Sequence, residues 1–221
     1  MKNLGPASAS YLQWVREGSY DKRATLKVLA ELWLKREPRN REGSFSCNDT
    51  GRCLRFRLLK FLGTSNLVPT DSLMAVYIQS NWTQLKHQIA GKVTGYLKDI
   101  EVPFHSEEYL LGGTADGITE DDEIFMFRSL SSAYFRNARS QGPIAGHLDQ
   151  AHAYMLVSGL EQVKYLAECK DSSQLYEIVI TPNVLRMEKI KKHLKVLNRA
   201  VEQGRMLGCS DSDGCVECRN G

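Results

Sequence analysis

Apolar residues recur along this chain with two periods, and the switch between them marks its organisation. Over 21–35, Leu26, Leu29, Ala30 and Trp33 fall at helical spacing, with Val28 and Leu32 widening the stripe, which predicts a well-buried helix. It should stop at Glu37-Pro38, because a residue preceding proline is pushed out of the helical region. Asp49 or Thr50 can cap a helix over 51–62, with Cys53, Phe56 and Leu59 on one side and Arg52, Arg55 and Arg57 around it. A long helical pattern follows over 72–98, with a break expected near Asn81 and a stripe of Trp82, Leu85, Ile89, Val93 and Tyr96.

The period then shortens. Segments 100–104, 109–118 and 123–130 read as a three-stranded meander. A helix over 147–158 follows Gly142-Pro143, and 163–169 with 175–180 form a hairpin around Asp171-Ser172-Ser173. A last helix, capped by Thr181 with Pro182 at its first position, presents Val184, Met187, Ile190, Leu194, Leu197 and Val201 on one face. Its other face is basic, with Lys189, Lys191, Lys192, Lys195 and Arg199. Residues 1–20 show little pattern. The order predicts an α/β core with a helical front.

Composition narrows this picture by exclusion. The 221 residues, 42% hydrophobic and 25% charged, suit a globular domain, and 29 basic against 26 acidic residues leave a net charge of only +3. No run approaches the roughly 18 apolar residues that span a bilayer, and there is no secretory h-region, so a cytoplasmic protein without a membrane partner is expected. The six cysteines are clustered: Cys47 and Cys53 lie close together, Cys169 stands alone, and Cys209, Cys215 and Cys218 crowd the end of the chain. In a reducing compartment, Cys215-Val-Glu-Cys218 with nearby thiols points to a metal or iron–sulfur site rather than disulfides. Cys169, in a strand, reads as an inert core thiol.

Two segments offer further chemistry. Asp116 follows Gly112-Gly113-Thr114-Ala115 at the end of an apolar strand, where an aspartate is either a turn residue or a ligand for a hard metal ion. Gln150 and Tyr154, at i and i+4, share one face of the 147–158 helix.

A strand ending in aspartate, a second strand, and then a helix bearing Gln-x-x-x-Tyr resembles the RecB-like branch of the PD-(D/E)XK nucleases. Arg52-Cys53-Leu54-Arg55 resembles the N-terminal Cys-x-Arg of that branch, His87 its helix histidine, and the terminal cysteines its cluster-binding tail. This combination is found in CRISPR-associated RecB-like exonucleases, AddB-type helicase–nucleases and phage exonucleases. The likeness runs from about Gly43 to Cys218.

The resemblance implies a mixed central sheet flanked by helices, with segment 1–46 as a helical lead, 47–206 as the nuclease core and 207–221 as the cysteine tail. It implies Mg²⁺ or Mn²⁺ held by Asp116 and His87, with Gln150 and Tyr154 bracing the site or touching DNA. It also implies a 4Fe–4S cluster, with zinc as the alternative, on Cys53, Cys209, Cys215 and Cys218; Cys47 could replace Cys209. The implied partner is DNA, as ends or single strands, and possible protein partners are recombination or CRISPR-type complexes.

One motif departs from that family. The strand expected to read Glu-x-Lys reads Met126-Phe127-Arg128. A thioether is a poor ligand for a hard cation, and arginine keeps the positive charge but cannot act as a base. Glu123 or Glu108 could supply the second carboxylate. The literal Glu168-Cys169-Lys170 falls on the wrong strand for the family order. Two functions therefore stay open: a metal-dependent DNA nuclease, or an inactive homologue that binds DNA or a partner nuclease complex.

Overall fold

The strand that carries Asp116 organises the sheet. The computed structural model describes residues 5–16, 22–35, 43–63 and 71–209. The expected stop at Glu37-Pro38, and Cys215 and Cys218, lie outside them. In chain order the elements are α1 (Pro6–Arg16), α2 (Lys22–Lys35), β1 (Phe45–Ser46), a 3₁₀ turn (Cys47–Asp49), α3 (Leu54–Phe61), α4 (Asp71–Val93), β2 (Leu97–Ser106), β3 (Leu111–Thr119), β4 (Ile124–Leu130), α5 (Ser132–Gln141), α6 (Ala145–Ser158), β5 (Val163–Cys169), β6 (Leu175–Ile180) and α7 (Val184–Glu202).

The strands form one mixed sheet in the order β1-β3-β4-β5-β6, with β2 also on β3. β2 runs antiparallel to β3 along its whole length, from Leu97↔Thr119 to Ser106↔Leu111. β3's other edge is shared. β1 pairs with it only at Leu111 and Gly112, and β4 only at Gly117 and Ile118. Residues 113–116 therefore face a gap between β1 and β4. Beyond the gap, β4 pairs in parallel with β5, and β5 makes the expected hairpin with β6.

Alternation along β4 feeds two cores. Ile124 and Met126 pack with α3, α6 and α7 residues such as Leu58, Tyr154 and Leu194, whereas Phe125 and Phe127 face Ala7, Val28 and Ile89 of α1, α2 and α4. The tight fit near the gap explains one glycine. A Cβ on Gly113 would stand 2.9 Å from both Cys47 Cβ and Tyr154 Cε1. Gly113→Ala should therefore cost about 1–3 kcal/mol of stability, read as a lower denaturant midpoint at unchanged slope.

Several expectations change. α1 and α5 form where no pattern was read, and α4 continues through Asn81 unbroken. Trp82 and Leu26 are each 64% exposed, so neither belongs to a buried stripe; α2 buries Val28 instead. α7 is capped by Asn183, whose side chain accepts from Arg186 N, rather than by Thr181. Among the described residues no helix is long and apolar enough to cross a membrane.

Candidate active site

The gap along β3 opens into a polar cleft of about 520 Å³ that takes in Asp116, Arg128, Gln150 and Tyr154 together. Each side chain arrives from a different element. Asp116 sits where β3 parts from β4, and its Oδ2 accepts the backbone N–H of Phe127 at 2.6 Å, in place of a strand carbonyl. Arg128 donates from Nη1 to the same Oδ2 at 3.3 Å and to Phe127 O, and from Nη2 to Gln150 Oε1. Gln150 in turn donates to Asn48 Oδ1. Tyr154 donates to Thr114 O at 2.5 Å, and its hydroxyl lies 3.3 Å from Asn48 Oδ1. α6 thus ties the turn after β1 to the open edge of β3.

Burial governs the electrostatics. It pushes Asp116 up to about 6, against the opposing pull of Arg128 and the Phe127 N–H, and the Glu101 carboxylate adds to the rise. Burial also raises Tyr154, which remains a phenol. His147, on the cleft wall, bonds Tyr165 through Nδ1 at 2.9 Å; burial and then Arg128 draw it down to about 4, so it is neutral near pH 7.

His87 is not brought to Asp116. It is 3% exposed and does not line the cleft; its Nε2 lies 2.6 Å from Glu168 Oε2 and its ring stacks on Phe127 at 4.5 Å. α4 turns this position inward, against the second core, because the helix buries Thr83, His87 and Ala90 together with Ile89, while Trp82 stays exposed. Glu168, read above as misplaced for the family order, is the partner of His87.

The proposed substitutes for the missing carboxylate also lie elsewhere. Glu123 pairs with Lys164 at 3.3 Å, and Glu108 sits exposed in the turn after β2. Met126 is 1% exposed in the first core. Cleft residues not expected from the sequence are Asn48, Arg52, Gln84 and Glu101. Asp116 and Glu101 are hard oxygen donors that suit Mg²⁺ or Mn²⁺, which bind through one or two carboxylates plus water and phosphate oxygens.

A second cluster joins distant parts of the chain. Cys53, at the N-terminus of α3, places Sγ 3.8 Å from Cys209 Sγ, and Arg55 donates to Leu207 O at 3.3 Å. Two thiolates on one tetrahedral ion with metal–sulfur bonds near 2.3 Å stand about 3.8 Å apart, so the pair as placed fits zinc. In a cubane each thiolate binds its own iron, and the two sulfurs would have to part. Cys47 is fully buried beside Gly113, and Cys169 is buried with Ser132 Oγ 3.5 Å from its sulfur.

No family model matches the chain, and no curated protein matches its sequence. Solved structures do match its shape. The alkaline exonuclease LHK-Exo of Laribacter hongkongensis, in complex with dAMP, superposes with a TM-score of 0.59 at 10% identity, over 74% of this chain and 90% of that one. A phage-related exonuclease of Haemophilus somnus 129PT gives 0.54 at 12% identity, over 72% and 94%. An exonuclease-like protein of Eubacterium rectale gives 0.51 at 12%, over 81% and 88%. The chain shares the fold of these exonuclease structures, with the expected mixed central sheet flanked by helices.

Proposed function

We propose that the chain is a DNA nuclease of the RecB-like type that takes DNA ends or single strands into the β3 cleft and hydrolyses phosphodiesters there. The observation that carries this is the meeting of buried Asp116, cationic Arg128 and the Gln150–Tyr154 face in one polar cleft, on a fold shared with exonucleases. Arg128, oriented by Gln150, offers its guanidinium to a phosphate, and Arg52 on the rim adds a second cation. Asp116 supplies a carboxylate toward a cation. A bound Mg²⁺ or Mn²⁺ would activate water and offset charge on the phosphate oxygens. Purified protein should therefore release nucleotides from linear or single-stranded DNA in Mn²⁺ and stop on chelation. DNA that is bound but never cut under either ion would sink the nuclease reading.

A second reading rests on one contact. Arg128 Nη1 donates both to Asp116 Oδ2 and to Phe127 O, so a cation of the chain itself occupies the space between those oxygens. This favours a homologue that grips DNA, or a partner nuclease complex on DNA, without turnover. It predicts salt-sensitive DNA binding that persists in chelator.

We also propose a thiolate metal centre on Cys53 and Cys209, completed by Cys215 and Cys218. The resemblance points to an iron–sulfur cluster, and the Cys53–Cys209 spacing favours zinc. Metal analysis of anaerobically purified protein separates them: zinc leaves it colourless, whereas a cluster gives broad absorption near ~400 nm. A metal-free, fully folded protein would remove both.

A further inference from the structure

The cleft lacks the carboxylate that Met126 displaces, and the chain supplies another from an unexpected place. We infer that Glu101 is the second acidic ligand of the Asp116 site, carried by β2 rather than β4. This rests on the nuclease reading above and assigns that site its missing group.

Backbone geometry is the first support. Glu101 has φ of +53° in the middle of a paired strand, between Ile100↔Gly117 and Val102↔Ala115. A left-handed non-glycine residue costs about 1–2 kcal/mol and persists only where its surroundings enforce it. The consequence shows in its neighbours. Ile100 and Val102, two apart, would share a face of a regular strand, yet Ile100 packs in the second core and Val102 against the first. The strand rotates at Glu101 and leaves that side chain lining the cleft beside Asp116.

Its hydrogen bonds are the second support. Glu101 Oε1 accepts from Gln84 Nε2 at 3.2 Å and Gln88 Nε2 at 2.8 Å. Gln88 Nε2 also donates to Asp116 O at 2.7 Å. One amide thus holds the Glu101 carboxylate and the Asp116 backbone in a single frame. Both amides are neutral donors that orient the Glu101 carboxylate toward the cleft. Two carboxylates on adjacent antiparallel strands, braced by one helix, suffice for an ion that fills its remaining positions with water and phosphate oxygen.

Mn²⁺ binding, followed by the EPR signal of the free ion at pH 7.5 without DNA, tests the assignment. Wild type should bind the ion, and Glu101→Gln should weaken binding roughly tenfold or more, since even outer partners of a metal site are worth 10–100-fold. Its unfolding midpoint in chelator should stay near that of wild type. Glu101→Asp, which keeps the charge on a shorter arm, should also bind less tightly, and it serves as the readout if the glutamine variant folds poorly. Wild-type affinity in both variants, with wild type cleaving DNA, overturns Glu101 alone. A wild type that neither binds Mn²⁺ nor cleaves removes the nuclease reading together with this assignment.

Discussion

DNA cleavage should fall by roughly a thousandfold or more when Asp116 becomes asparagine, the equivalent of about 4 kcal/mol of transition-state stabilisation lost with the metal. The substitution isolates charge from shape. An asparagine oxygen can still accept the Phe127 N–H that Asp116 takes at 2.6 Å, so the parting of β3 from β4 is preserved. What disappears is the anion that faces Arg128 and that the proposed divalent ion would require.

The pH dependence of the wild type follows from the same group. Burial lifts Asp116 from 3.8 to about 6, so below that value a proton occupies the carboxylate and activity should drop about tenfold per pH unit. The stability sign is opposite to that of an ordinary ion-paired carboxylate. A folded value above the unfolded one stabilises at low pH, and that contribution is lost as pH rises from 3.8 through about 6. At pH 7.5 the asparagine variant should therefore be no less stable than wild type. Undiminished cleavage by Asp116→Asn, or a flat profile across pH 5–7, would exclude Asp116 as the reacting carboxylate.

The second large effect is on stability. His87→Ala should cost about 3–5 kcal/mol, because it leaves the Glu168 carboxylate, 4% exposed, without the ring nitrogen at 2.6 Å. Burial lowers the His87 pKa, so near neutrality the ring is uncharged, and protonation below the ordinary histidine range favours the unfolded chain. Stability tied to His87 is thus present above pH 6.5 and weakens as pH falls. Replacing both partners, as His87→Ala with Glu168→Leu, should recover most of the loss, since no buried carboxylate is then stranded. Denaturant titration in chelator reads this directly. An unchanged midpoint, with Mn²⁺ binding lost, would restore the metal-ligand role that the resemblance implies.

The sequence made some of this site legible and concealed the rest for identifiable reasons. Asp116, Arg128, Gln150 and Tyr154 could be placed because each sits in a regular element, where a period of two or of 3.6 fixes the direction of the side chain. β5 and β6 were readable from residue to residue, bounded as they are by turn chemistry at Asp171-Ser172-Ser173. The place of His87 is concealed because the packed face of α4 is wider than its apolar stripe: Ile89 is buried with Thr83, His87 and Gln88 beside it, while Trp82 at the head of the stripe is exposed. Tertiary pairing with Glu168 makes a polar residue acceptable there. Asn48 belongs to a 3₁₀ turn that local pattern renders only as polar loop. Glu101 was hidden most completely, since alternation assigns each strand residue a face and no propensity marks a glutamate for a left-handed conformation.

The shared edge of β3 also sets an order of events during synthesis. β1 and the turn behind it leave the ribosome early, yet Asn48 meets its partner Gln150 only 102 residues later. Cys53 waits longer, 156 residues, for Cys209. Before those late segments arrive, the two-residue β1 is held by its pairing with Leu111 and Gly112 and by the stacking of Phe45 on Phe61, and the turn behind it still lacks Gln150. The nascent chain thus carries Asp116 and Arg128 well before one wall of their cleft is in place. Under the nuclease reading proposed above, the cleft is complete only once α6 has joined the turn after β1 to β3.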